Sequence, residues 1–313
     1  MKKYFIIILA AIAGLLSCEK QNLGNPAQEA RVNPDEIVFR SDIPVTRATG
    51  TSETTTANLS AFNVIAATAS GATETAVWTD GAYSKYTVGN EEFFHHAAGG
   101  KWWPSEAVSY NFYAANADMT FNGAGTTIAV ANCAKDVVAE YVTGVANGTV
   151  QHLVFDHILC QLGTVKMKAP EGFTVTGLKV SIKPIEAGTY NMKTNAWTRG
   201  SESVDVYIVG TAAAGVDVPT ATNTYQSGDN DLWLLPGTYV LTASYTISKG
   251  DFSKSYTKSA TVSLEQGKNN NLGLPGVNHD EPNIPGPGDD LKEIIFSVTV
   301  TPWSDVEVPA NFS

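Results

Sequence analysis

Beyond residue 35 the chain is a succession of short runs rich in Val, Ile, Thr, Tyr and Phe, punctuated by Gly, Asn, Asp and Ser. "NLSAFNVIAATA", "AVSYNFYAANA", "GFTVTGLKVSIKPI", "VDVYIVG", "TYVLTASYTI" and "YTKSATVSL" are the clearest of them. β-Branched and aromatic residues suit a pleated, half-buried surface, and the residues between them favour turns. Many short strands with no alternating helices predict packed antiparallel sheets rather than βαβ units. Only Ala134–Val142 (AKDVVAEYV) is open to a helical turn or two, and a strand fits it nearly as well. The expected class is all-β.

The N-terminus has a different texture. Lys2 and Lys3 precede an apolar core, Tyr4–Leu16, that is too short to span a bilayer and reads as a signal peptide over residues 1–17. It ends in Leu15-Leu16-Ser17-Cys18, a lipobox, so Cys18 is the expected lipidation site. Such a chain is exported and held to a membrane by lipid rather than by a span. Residues 18–35, polar and proline-containing, read as a spacer.

A length of 313 residues suggests about two domains. From Ala48 onward there are 14 basic and 26 acidic side chains, a net charge of −12 with no basic cluster, which argues against a nucleic-acid partner. The polar interval Gly144–Gln151 places a boundary at 150, giving one sandwich over 48–150 and another over 151–274. Cys133 and Cys160 have two readings: a disulfide in an oxidising compartment, or buried free thiols.

Residues 275–290 (PGVNHDEPNIPGPGDD) hold four prolines and three glycines and form a tether. Beyond it, within 291–313, lies one more strand, Glu293–Trp303. Its residues Ile294, Phe296, Val298 and Val300 share one face. The segment 36–47 has a similar pattern, with Ile37, Phe39, Ile43 and Val45 on one parity, interrupted by Ser41. Pro44 lacks an N–H, which favours an edge position for this strand. Two similar strands at opposite ends of the folded region could compete for one groove.

"IVFRSDIPVTRAT", "KWWPSEAVSYNFYA", "LVFDHILCQLGTVKM", "AGTYNMKTNAWT", "DLWLLPG" and "IIFSVTVTPW", in that order, resemble the fimbrillin-like family of Bacteroidales, the subunits of type V pili. The resemblance implies two tandem transthyretin-like antiparallel β-sandwiches and a structural role. It implies a lipoprotein precursor at the outer membrane, then a subunit of a cell-surface fimbrium. A trypsin-like or Arg-specific protease would cut between Arg47 and Ala48, removing the lipid and the strand that carries Ile37, Phe39, Ile43 and Val45. The strand of Ile294, Phe296, Val298 and Val300 would then fill the groove of a neighbouring pilin subunit. Backbone hydrogen bonds would supply affinity and alternate side chains register. Burial of four large apolar side chains is worth about 6–12 kcal/mol before ordering costs. Anchor subunits of the family typically lack a cleavable arginine at this place, so Arg47 points to a polymerising subunit.

No constellation for catalysis appears: no phosphate loop, HExxH, CxxC or nucleophile elbow. Neither a metal site nor a cofactor is expected. Adjacent His95 and His96 point opposite ways and read as loop residues. His157 shares a face with Phe155 and Leu159 and reads as a packed, hydrogen-bonded histidine. "GDNDLW" (228–233) reads as a turn. Trp102 and Trp103 are either a sugar-stacking platform or packing at a sandwich edge. The first option defines the rival function, a non-polymerising surface lipoprotein that binds glycan or anchors a pilus.

Overall fold

The computed structural model describes residues 35–43, 54–274 and 297–302, with breaks at 71–72, 89–90, 105–107, 147–149, 168, 170–171, 219–222 and 227–231. Among the described residues every regular element is a strand, and Ala134–Val142 contributes to one rather than to a helix. The first five strands are β1 (Phe39–Asp42), β2 (Ala61–Ser70), β3 (Thr73–Val88), β4 (Glu91–His96) and β5 (Ser109–Ala115). β6 (Met119–Phe121), β7 (Thr126–Val130), β8 (Val138–Ala146), β9 (Gln151–Val154) and β10 (Asp156–His157) follow. Next come β11 (Cys160–Met167), β12 (Thr174–Ile182), β13 (Gly188–Asn191), β14 (Ala196–Arg199), β15 (Val206–Val209) and β16 (Val216–Val218). The last are β17 (Asn223–Gln226), β18 (Leu232–Leu234), β19 (Gly237–Lys249), β20 (Phe252–Leu264), β21 (Lys268–Leu274) and β22 (Ser297–Pro302).

The first sheet has eight strands in the order β10-β8-β5-β2-β3-β4-β1-β9. Its two edge strands, β9 and β10, are separated in sequence by Phe155 alone, so the sheet curls until its edges nearly meet. A bulge helps it bend: the β2–β3 register shifts between Val64 and Ala66, opposite Gly81. A Cβ on Gly81 would stand 2.4 Å from the Val64 carbonyl oxygen, so only glycine fits there. Inside the curl sit Val64, Ala66, Phe112, Ala114, Leu153 and Phe155. The alternate residues Ile65, Ala67, Tyr113 and Ala115 face the other way, into the larger core shared with the C-terminal half. Burial on both faces accounts for the nearly unbroken apolar texture of these two strands.

Two expectations change here. The boundary placed at residue 150 falls short, because Gln151–His157 completes the first sheet and Phe155 is fully buried within it. The strand of Ile37 and Phe39 is interior rather than an edge, lying between β4 and β9. Among the described residues its paired positions run from Phe39 to Asp42, and Pro44 lies outside them.

The C-terminal half has a sheet in the order β15-β12-β19-β20, with β16 also on β12, and another in the order β17-β11-β21-β22, with β18 also on β11. The fourth sheet, β14-β13-β7-β6, takes two strands from each half. Tyr190 of β13 pairs with Ile128 of β7, and both side chains enter the larger core. The halves are therefore joined by backbone hydrogen bonds as well as by packing.

A buried carboxylate reinforces that junction. Glu74 of β3 is 4% exposed and accepts hydrogen bonds from Asn111 Nδ2 at 2.8 Å, Tyr141 OH at 3.0 Å and the Tyr113 hydroxyl. Lys193, in the β13–β14 turn, reaches it from the other half at 3.3 Å. Burial works to raise its pKa, but the bonds from Tyr113, Asn111, Tyr141 and Lys193 outweigh it and hold the carboxyl below its ordinary 4.5. Its stabilising contribution is thus complete above pH 4.5 and is lost as pH falls through the lower folded value. Glu74→Gln should cost about 1–3 kcal/mol in urea unfolding at pH 7. The gap from the parent protein should close on acidification below pH 4.5.

Candidate functional site

The segment 35–43 occupies a slot in the first sheet and is held along its whole length. Ile37 N donates to Lys101 O and Trp103 N to Asp35 O, both at 2.8 Å, and Glu36 forms a bridge with Trp102. Phe39 then pairs with Phe94 of β4 in antiparallel sense. On the other side β1 runs parallel to β9, with Phe39 opposite Gln151, Arg40 opposite His152 and Asp42 opposite Val154. Phe155 N donates to Asp42 O at 2.9 Å. At Ile43, the last described residue of the segment, the backbone N donates to Thr56 Oγ1 at 2.8 Å while that hydroxyl donates back to Ile43 O at 3.2 Å.

The inward side chains are Ile37, Phe39 and Ile43, all buried, as their parity predicts. Phe39 lies at the centre of an aromatic cage, with ring centroids 4.8 Å from Tyr83, 5.1 Å from Phe112 and 6.2 Å from Phe62. Phe94 and Phe155 pack round Phe62 in tilted and edge-to-face geometry, at 4.6 and 5.1 Å. Tyr83 carries its hydroxyl into this interior without a hydrogen-bond partner, and burial, then the Glu36 charge, drive its pKa far up. The slot is therefore shaped by apolar contact rather than by polar recognition.

The outward face is different. Val38 packs on Phe93 and Val150. Arg40 lies 4.7 Å over the Phe93 ring and bonds Glu91 at 3.0 Å. Glu36 meets His95 at 3.2 Å, and Asp42 meets His152 at 2.8 Å. Each of these pairs links the segment to β4 or β9.

Other residues singled out in the sequence are dispersed. His95 and His96 end strand β4 rather than lying in a loop. Their rings diverge, His95 to Glu36 and His96 Nε2 to Asp80 O at 3.2 Å, as alternation along a strand requires. His157 is buried and bonds Asp136 at 2.7 Å, while Asp156 is exposed. Trp103 is buried, stacked 5.2 Å from Tyr110, whereas Trp102 is 52% exposed, so the two rings do not form one platform. Cys133 and Cys160 are both free and buried, their thiols donating to Glu186 O and Leu234 O. Burial, then the Glu186 charge, pushes the Cys133 pKa up to about 12. Cys18, Val45, Arg47, Ala48, Ile294 and Phe296 lie outside the described residues, as do residues 228–231 of the expected turn. Val298 and Val300 fall in β22, which runs antiparallel to β21 of the same chain, with Val298 opposite Leu272. The partnership of β1 with β9 and the Glu74 cluster had no sequence signal: both join residues far apart in the chain.

Among solved structures the chain is similar to a candidate cell adhesion protein from Bacteroides uniformis, at 14% identity and a TM-score of 0.48, covering 86% of this chain and 98% of that one. A second candidate adhesion protein, from Bacteroides ovatus, is 17% identical, with coverages of 85% and 95% and a TM-score of 0.44. A fimbrial assembly protein from Parabacteroides distasonis is 12% identical, with coverages of 76% and 90% and a TM-score of 0.33. No curated protein matches. The family model described as fimbrillin-like matches residues 46–303, from just before Arg47 to the end of the last predicted strand. On the strength of that match over most of its length, the chain belongs to the fimbrillin-like family.

Proposed function

We propose that this chain is a structural subunit of a cell-surface fimbrium that supports adhesion. It is exported as a lipoprotein anchored at Cys18 in the outer membrane, cut between Arg47 and Ala48 by a trypsin-like or Arg-specific protease, and polymerised with other pilin subunits by strand exchange. One observation carries this reading: the segment that completes the first sheet lies wholly upstream of Arg47. A cut there leaves that segment held only by non-covalent contacts, and its departure opens a slot with unpaired backbone on both sides. An open slot of this kind is a template for another strand. Residues 291–313, on a tether of sixteen residues that spans on the order of 50 Å when extended, supply a candidate. The divergence of Trp102 and Trp103 removes the joint platform on which the rival glycan-binding reading rested.

Arg40 sits within a paired strand with its side chain against Phe93 and Glu91, which shields it from proteolysis of the folded protein. Limited trypsin treatment of soluble chain beginning at Glu19 should therefore yield a new N-terminus at Ala48, with a shift to multimers on a sizing column. Intact chain at Arg47, or cut chain that stays monomeric, would sink the proposal. Deleting the residues after Asp290 should abolish the multimers while leaving the near-UV spectrum and urea midpoint of the first sheet unchanged. Phe39→Ala should weaken retention of the segment by about 3–5 kcal/mol. After the cut, release of the excised peptide and growth of multimers should both accelerate, read by light scattering. An unchanged rate would show that segment departure does not control assembly.

A further inference from the structure

The C-terminal strand repeats the sequence of the segment it would replace. Glu36-Ile37-Val38-Phe39 corresponds to Glu293-Ile294-Ile295-Phe296, and the alternate positions Ser41 and Ile43 correspond to Val298 and Val300. We infer that the C-terminal segment of a second copy enters the slot in the polarity of residues 36–43, parallel to β9, with Glu293 in the place of Glu36 and Phe296 in the place of Phe39. This rests on the assembly reading above and adds to it a register, an orientation and a determinant of specificity.

Each position of the slot has a matching demand. The cage of Tyr83, Phe112 and Phe62 holds one aromatic ring, and Phe296 is the only one in the donor run before Trp303. The outer apolar seat made by Phe93 and Val150 takes Val38 now and Ile295 after exchange. His95, paired with Glu36 at 3.2 Å, finds Glu293 at the same point. A shift by one residue would turn every apolar side chain outward. A shift by two would empty the cage or press Phe296 into the place of Ser41 or Ile37.

The two strands differ where the resident one is charged. Arg40, bonded to Glu91, becomes Ser297, and Asp42, bonded to His152, becomes Thr299. Ser41, an interruption on the apolar face, becomes Val298. The resident strand is thus clamped by half-buried ion pairs over a flawed apolar face, and the donor exchanges the clamps for a complete one. Ion pairs that solvent still reaches contribute modestly compared with apolar burial. Among the described residues, Ser297–Pro302 of the donor pairs in its own chain on one side, along β21. The slot offers β4 and β9 together, so entry exchanges one ladder for two.

Disulfide trapping reads the register directly, in soluble chain beginning at Glu19 and cut by trypsin. Ser297→Cys with His152→Cys reproduces the Arg40–His152 pairing, where neighbouring backbones about 4.8 Å apart lie within disulfide range. Its multimers should become covalent on oxidation, a ladder abolished by reductant. The two-residue-slipped pair, Thr299→Cys with His152→Cys, should cross-link at least tenfold less. Stronger trapping of the slipped pair, or none of either in multimers that still form, overturns the register while leaving strand exchange standing. Cut parent chain that never forms multimers overturns both. Independently, a peptide of residues 291–303 should cap the cut parent protein and block its growth. The same peptide with Phe296→Val and Val298→Phe should act at least a hundredfold more weakly, and equal potency overturns the assignment of Phe296 to the cage.

Discussion

The structure of the first half turns on a single ring. Phe39 meets Tyr83, Phe112 and Phe62 in edge-to-face geometry, and these come from three different strands of the curled sheet. Such contacts add about 0.5–1.5 kcal/mol per pair to the area buried. A curled sheet cannot close on itself without something at its centre, because an unfilled interior loses dispersion contacts on every side. Here the filler is delivered by the strand that also supplies the missing ladder, so closure of the backbone and filling of the core are one event.

That coupling separates thermodynamic hold from chemical linkage. The slot surrounds residues 35–43 with hydrogen bonds at both ends and ion pairs on the outer face. The connection to Thr54 passes through Arg47 and the residues around it. The non-covalent hold on residues 35–43 and their covalent link to the rest of the fold are therefore set by different parts of the molecule.

The inner face of this segment was legible in the sequence because strand parity has a period of two: Ile37, Phe39 and Ile43 fall where alternation puts them. Packed His157 and the all-β class followed from the same local reasoning. The interior position of β1 was not legible, since Pro44 argued for an edge and nothing local names the two strands, β4 and β9, that flank Phe39–Asp42. The boundary at 150 was misplaced for a related reason. A polar, glycine-containing interval marks a turn, but a turn does not reveal whether the next strand returns to the sheet just left. Glu74 gave no signal at all, standing in an alternating run beside alanines and threonines. Its partners Asn111, Tyr113, Tyr141 and Lys193 become neighbours only through the topology.

The sheet drawn from both halves has a mechanical meaning. Residues 39–42 lie in the first sheet, and β22 lies beside β21 at the edge of a sheet of the second half. Tension applied between those points crosses the β7–β13 pairing, the large common core and the Lys193–Glu74 contact at once. A flexible linker between separate sandwiches would extend under such a load before either unfolded. Here the halves share a fabric, so a load between them would meet one stiff link.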